Sequence, residues 1–183
     1  MTRAPLVHVW VLPVMAGLLS LVAGPVVGLT ARQAAAPGGV SNYTRIDATF
    51  ACAGATPVQA IPELKNQGFK SIINFRLPEE SGANIDESKA EAARVGLKYI
   101  HLPFRTPTPE IADAFVKAVT DPSNQPAYIH CAAANRAAAM WLVKRLAVDR
   151  WETDRAVKEA EQLGMRTPAL KDFAIEYAAK RGR

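Results

Sequence analysis

At 183 residues the chain suits a single domain. With 22 Lys and Arg against 17 Asp and Glu it carries +5, without the Lys/Arg blocks that would mark a nucleic-acid binder. Two cysteines, Cys52 and Cys131, are too few for a disulfide framework. No His/Cys cluster has metal-ligand spacing, and neither a Gly-rich nucleotide loop nor a Ser-centred elbow is present, so no metal or cofactor is called for.

The first 36 residues read apart from the rest. Arg3 precedes an almost uncharged run from Leu6 to Leu29, rich in Leu and Val and broken by Pro13 and Pro25. A basic start, an apolar middle and small residues after it are the layout of a secretory signal. The run is also long enough to span a bilayer, so a retained membrane anchor is the alternative. The expectation is a signal or anchor with its linker over 1–36 and a domain over 37–183, exported to the periplasm, secreted, or held at the membrane by an uncleaved N-terminal segment. From Pro37 onward there are 20 basic and 17 acidic residues, a net +3, which suits an anionic small substrate. Export would put both cysteines where a disulfide can form.

The elements then punctuate themselves. Residues 44–54 read as one or two strands. Thr56-Pro57 starts a helix that Gly68 stops. A short apolar strand covers 70–75, "LPEESG" turns, and 84–96 is a helix with acids at its start and Arg94 and Gly96 at its end. A strand over 97–103 leads to a helix opened by Thr108-Pro109. "AYIHC" is the next strand. Asn135 to about Val148 is a helix, another ends at Gly164, and Thr167-Pro168 opens the last, with Leu170, Phe173, Ile175 and Tyr177 among its apolar positions. Strands alternating with helices predict an α/β fold, a mostly parallel central sheet flanked by helices, with an all-helical C-terminal part. Ligands of such sheets sit at the carboxyl ends of strands. Cys131, Arg76 and Phe104-Arg105 all fall at such ends.

"YIHCAAANRAAAMW" (128–141) carries the chemistry. Backbone N–H groups in a strand-to-helix loop, with the helix dipole, bind anions and favour a thiolate. An arginine at the helix start can fork onto two phosphate oxygens. A thiolate, an anion cradle and a guanidinium are the parts for attack on phosphorus through a phosphocysteine.

The "HC…R" pattern after an apolar strand resembles the cysteine-dependent tyrosine and dual-specificity phosphatases. More narrowly, it is similar to the bacterial tyrosine-phosphatase-family and beta-lactamase-hydrolase-like phosphatase domains. "ACAGATPVQAIPELKNQGFKSIINFR", "LPEE" and "GLKYIHLPF" extend the likeness over roughly residues 43–164. The resemblance implies that Cys131 is the nucleophile and Arg136 the phosphate-binding arginine, with the N–H groups of Ala132, Ala133, Ala134 and Asn135 as the cradle. It implies as substrate a phosphorylated small molecule or a phosphoprotein. Four residues separate Cys131 from Arg136, where the wider signature has five. The loop glycine is absent, and Asn135 is the residue expected to take any positive φ. Ala137 replaces the usual Ser or Thr, and no Asp follows "LPF". These departures bear on turnover more than on binding.

Around this loop, His130 is expected to be structural and to help keep Cys131 ionised. His101 reads as a packed, satisfied residue, and Arg76 and Arg105 as salt-bridge or substrate residues. Glu79, Glu80, Glu110 and Asp113 are the candidate acids nearest the rim, with Glu80 expected to pair with Arg76. Cys52 reads as a core residue, and the alternative is a reversible Cys52–Cys131 disulfide. The alternatives to a phosphatase are a rhodanese-like sulfurtransferase, which shares the short loop, and an inactive phosphatase fold that binds an anion or a partner.

Overall fold

The computed structural model describes residues 35–181. The signal or anchor expected over 1–36 lies, but for its last two residues, outside the described residues. Five strands form one sheet, β1 (Thr44–Arg45), β2 (Phe50–Ala53), β3 (Ser71–Asn74), β4 (Lys98–His101) and β5 (Ala127–His130). Six α-helices accompany them, α1 (Ile61–Asn66), α2 (Ile85–Arg94), α3 (Pro109–Thr120), α4 (Asn135–Ala147), α5 (Thr153–Leu163) and α6 (Pro168–Lys180). The strand order is β1-β2-β5-β3-β4. β1 runs antiparallel to β2, and every other pair is parallel, as the alternation of elements predicts.

The early strand region splits in two because Asp47 builds a turn. Its Oδ1 accepts from the N–H and hydroxyl of Thr49, both at 2.7 Å, and from the N–H of Phe50 at 3.0 Å. The helix expected from Thr56 begins later. A single 3-10 turn, Val58–Ala60, precedes α1. Thr56 does not cap it, because its hydroxyl turns inward to the Tyr128 hydroxyl at 2.6 Å and to the Gly54 carbonyl at 3.2 Å.

The strand pleat sends alternate side chains to opposite faces. Phe50, Cys52, Ile73, Phe75, Ala127, Ile129 and Cys131 enter one core with α3 to α6. Ala51, Ala53, Ile72 and Tyr128 enter the other, under α1 and α2. Both faces are covered, so the central strands read as continuous apolar runs rather than alternating ones. α4 is the hub of the larger core. Ala137, Ala138, Ala139, Met140, Trp141, Leu142, Val143 and Leu146 are all fully buried; the alanines let β5 and the flanking helices approach closely. Arg145 is held among Trp141, Trp151, Asp149 and Glu159, which ties α4 to α5.

Candidate active site

The junction between β5 and α4 lies at the carboxyl edge of the sheet, between the ends of β2 and β3. Cys131 follows β5 directly, and its N–H donates to the Ala53 carbonyl at 3.2 Å. Both Cys52 and Cys131 are free thiols. Cys131 is only 1 % exposed. Burial, with Cys131 beside it, pushes the Cys52 thiol far up, so Cys52 is protonated at any ordinary pH.

The reversal into α4 is made by Ala134, at φ 64° and ψ −14°. Asn135 was expected there, and it is helical instead. The cause is what its side chain holds. Its Oδ1 accepts from the N–H groups of Arg166 (2.8 Å) and Thr167 (3.3 Å), and its Nδ2 donates to the Thr167 hydroxyl at 2.7 Å. That reach to the α5–α6 turn starts from the helix, which leaves the left-handed position to the residue before. For an alanine this costs about 1–2 kcal/mol. Gly164 makes room on the other side; a Cβ there would stand 3.0 Å from that of Ala134. α4 has neither a side-chain cap nor an acid in its first turn, so its positive end faces the loop without a competing anion.

From the first turn of α4, Arg136 reaches across the ends of β3 and β4. Nη1 donates to the carbonyls of Phe75 (3.0 Å) and Phe104 (2.8 Å) and to Oε1 of Glu80 (2.7 Å), and Nη2 donates to Oε2 of Glu80 at 2.8 Å. These bonds occupy one edge of the guanidinium. Of its five N–H donors, the Nε–H and the second Nη2–H are not used by Glu80 or the two carbonyls, and Arg136 also hydrogen-bonds the Cys131 side chain; a fork of this kind suits two oxygens of a phosphate. Burial works against the charge on Arg136, but Glu80 and Cys131 outweigh it and hold the group above its ordinary range. The three strand ends expected to converge on one rim do converge on this one side chain.

Glu80 belongs to the turn after β3. Burial alone would raise its carboxyl. Hydrogen bonds from Arg136 and from the Leu77 N–H (2.9 Å), together with the charge of Arg76, bring it down to about 2 instead. It is therefore a carboxylate at neutral pH and cannot serve as a proton donor. Glu80 does pair with Arg76, at 3.5 Å, as expected, but its main partner is Arg136. Arg76 is buried and donates to the carbonyls of Ser81 (2.5 Å) and Gly82 (2.8 Å). It braces the turn that presents Glu80.

The other candidates disperse. Glu79 and Arg105 form an exposed pair at 3.4 Å. Glu110 is an exposed residue in the first turn of α3, lowered first by the Thr108 hydroxyl. Asp113 is taken by the Tyr177 hydroxyl (2.6 Å) and by Arg181. His101 Nε2 donates to the Arg76 carbonyl, 2.8 Å away. His130 is buried, and burial, then the charge of Arg76, lowers it to about 3. A neutral imidazole supplies no charge to hold a thiolate, so that part of the expectation for His130 fails.

A cavity of about 520 Å³ opens beside Arg136, with Glu80, Arg105, Pro107, Asn135, Leu170 and Phe173 in its wall. Cys131 does not line it; Arg136 links the two. Leu170 and Phe173 were legible as apolar positions of the last helix, but no local signal assigned them to a site. Only the packing of α6 on α4 brings them there.

Residues 39–176 match the family model described as DSP-PTPase phosphatase fused to NAD+ kinase. A beta-lactamase hydrolase-like protein of Agrobacterium fabrum is 33% identical over 105 residues, 54% of this chain but 24% of that protein. Among solved structures, a DUF442 protein of Shewanella putrefaciens CN-32 shares the fold with a TM-score of 0.68 at 21% identity, covering 79% of this chain and 96% of that one. TpbA of P. aeruginosa does so at 0.63 and 15%, covering 82% and 96%. The catalytic domain of the PP-IP phosphatase SIW14 of S. cerevisiae does so at 0.65 and 17%, covering 79% and 88%.

Proposed function

The chain belongs to this family of DSP-PTPase phosphatases, and from that premise we propose that it hydrolyses a phosphomonoester through a phosphocysteine on Cys131. The observation that carries the proposal is Arg136, held along one edge by Glu80 and two strand-end carbonyls and hydrogen-bonded to the Cys131 thiol at the positive end of α4. Arg136 and the Ala132–Asn135 backbone bind the phosphate oxygens. The Cys131 sulfur attacks phosphorus, the P–O ester bond breaks, and the leaving oxygen takes a proton from water. A water then attacks the phosphocysteine, releasing inorganic phosphate and the thiolate. The solved complexes of TpbA with phosphotyrosine and of PTPMT1 with PI(5)P fit a phosphorylated small molecule or phosphoprotein as substrate. An exported or membrane-held location is part of the same proposal and rests on the N-terminal sequence alone.

A non-catalytic anion-binding role is the second reading. It is favoured by the ionised state of Glu80, the one carboxylate in the cavity wall, and by Ala137 in place of a hydroxyl. Hydrolysis of p-nitrophenyl phosphate by the full chain in reductant, beside Cys131→Ser, separates the two. Turnover that disappears in the variant supports the phosphatase. Phosphate binding without turnover in either protein supports the second reading.

A further inference from the structure

Between Cys131 and Asn135 the phosphate loop is alanine throughout, so it has no polar side chain with which to fix its own shape. Its peptide groups are aimed from outside. In a planar trans peptide the carbonyl and the following N–H point in opposite directions. A donor that holds a carbonyl outward therefore turns the next N–H to the other side. The Ala132 carbonyl accepts from the Ala55 N–H at 2.9 Å, which aims the N–H of Ala133, and the Ala134 carbonyl accepts from the Ala138 N–H at 2.8 Å, which aims that of Asn135. The carbonyl of Ala133, whose peptide carries the Ala134 N–H, accepts from Nδ2 of Asn42 at 3.5 Å.

Asn42 belongs to a segment before β1 that runs behind this junction. Ser41 pairs in both directions with the two residues after β2, its N–H donating to the Ala55 carbonyl at 3.0 Å and its carbonyl accepting from the Gly54 N–H at 2.8 Å. Gly54 in turn bridges to Ala133. The segment, the end of β2 and the loop thus lie side by side. A Cβ on Gly54 would stand 3.1 Å from the Ser41 carbonyl oxygen and 3.2 Å from that of Ala132, so glycine permits the approach. The segment is tied down on either side of Asn42, by the Gly38 N–H on Glu63 at 2.9 Å and the Tyr43 hydroxyl on Gln67 at 3.1 Å. Asn42 itself is at φ 49°, a conformation that asparagine tolerates.

We infer that Asn42 is a positioning residue for the phosphate cradle, seated by the pairing of Ser41 with Gly54, and that it acts by aiming the Ala134 N–H at the substrate's phosphoryl oxygens. This rests on the reading of the Ala132–Asn135 backbone as the phosphate site. Donors fixed before substrate arrives need no reorganisation when charge develops on those oxygens.

The test titrates the full chain with inorganic phosphate, followed by calorimetry and by NMR of the backbone amides, beside kcat and KM for p-nitrophenyl phosphate. In the wild type the Ala133 and Ala134 amide signals should move on phosphate binding. Asn42→Gly keeps the left-handed backbone and deletes the donor. It should weaken phosphate about fivefold, the worth of one hydrogen bond. It should also shrink the Ala134 shift and lower kcat/KM by a similar factor, with the melting temperature unchanged. Asn42→Asp, which sets a carboxylate against the Ala133 carbonyl, should lose more. Gly54→Ala should weaken phosphate by displacing the Ala132 carbonyl, and the Asn42 variants carry the test if it does not fold. Phosphate affinity, Ala134 shift and kcat/KM all unchanged in both Asn42 variants overturns the inference while leaving the phosphatase reading intact. So does a loss that only follows a fall in melting temperature. Absence of phosphate binding together with absence of turnover in the wild type removes both.

Discussion

Glu80→Gln separates two roles that a carboxylate beside a phosphate-binding arginine can have. It can compete with the phosphate, or it can hold the guanidinium for it. The side chains of Arg136 and Glu80 are 14 % and 19 % exposed. Breaking a buried pair costs about 3–5 kcal/mol, and breaking an exposed one about 0–1 kcal/mol. This pair lies between those limits, and glutamine keeps one acceptor, so about 2 kcal/mol is expected. That lowers the melting temperature by about 4–8 °C for a domain of this size. The sign with pH follows from a folded carboxyl at about 2 against about 4.3 unfolded. The stabilisation is complete above the unfolded value and lost as pH falls toward 2. The gap in melting temperature between wild type and variant therefore closes below about pH 4. The same variant should bind phosphate and vanadate more weakly, because the fork left for substrate is no longer aimed. An unchanged melting temperature with tighter phosphate binding would refute the reasoning and make Glu80 a competitor.

Other consequences are open to similar measurement. Gly164→Ala combines a φ of 117° with a 3.0 Å approach to the Ala134 Cβ and should cost about 2 kcal/mol or more in denaturant unfolding. Ala134→Gly should restore the contact part but not the backbone part, giving a non-additive cycle. His130, held at about 3 by burial and Arg76, should show no imidazole titration between about pH 5 and 8 by NMR. Its unfolded value is higher, so it contributes a loss of stability as pH falls below about 6.5, and His130→Gln should flatten that slope. Arg76→Lys loses the fork onto Ser81 and Gly82 and should cost about 2 kcal/mol, lowering turnover by loosening the turn that carries Glu80.

Much of the fold could be read because its signals are local. Gly stops and Thr-Pro starts bracket the helices, and apolar runs of strand length between them dictate a parallel sheet covered on both faces. The placement of Cys131 and Arg136 at one strand-to-helix junction could be read for the same reason, since a strand end, a short loop and a helix start lie in one contiguous stretch. What could not be read depends on distant partners. Asn135 looked like the left-handed residue because asparagine tolerates that conformation; its bonds to Arg166 and Thr167, 31 and 32 positions away, decided otherwise. Arg76 and Glu80 looked like a simple pair, and only the arrival of Arg136, 56 positions beyond Glu80, made Glu80 its holder and Arg76 the brace. Phe173 carried no sign of a site role, because helix-on-helix packing alone sets where its face opens.

The central claim is that phosphate passes through the Cys131 sulfur, and rapid acid quench during turnover of an aryl phosphate tests it most directly. Mass analysis of the peptide containing Cys131 should show a phosphate adduct on that cysteine, absent in Cys131→Ser and accumulating in proportion to enzyme. Steady turnover with no adduct on Cys131, or turnover retained by Cys131→Ser, would contradict it.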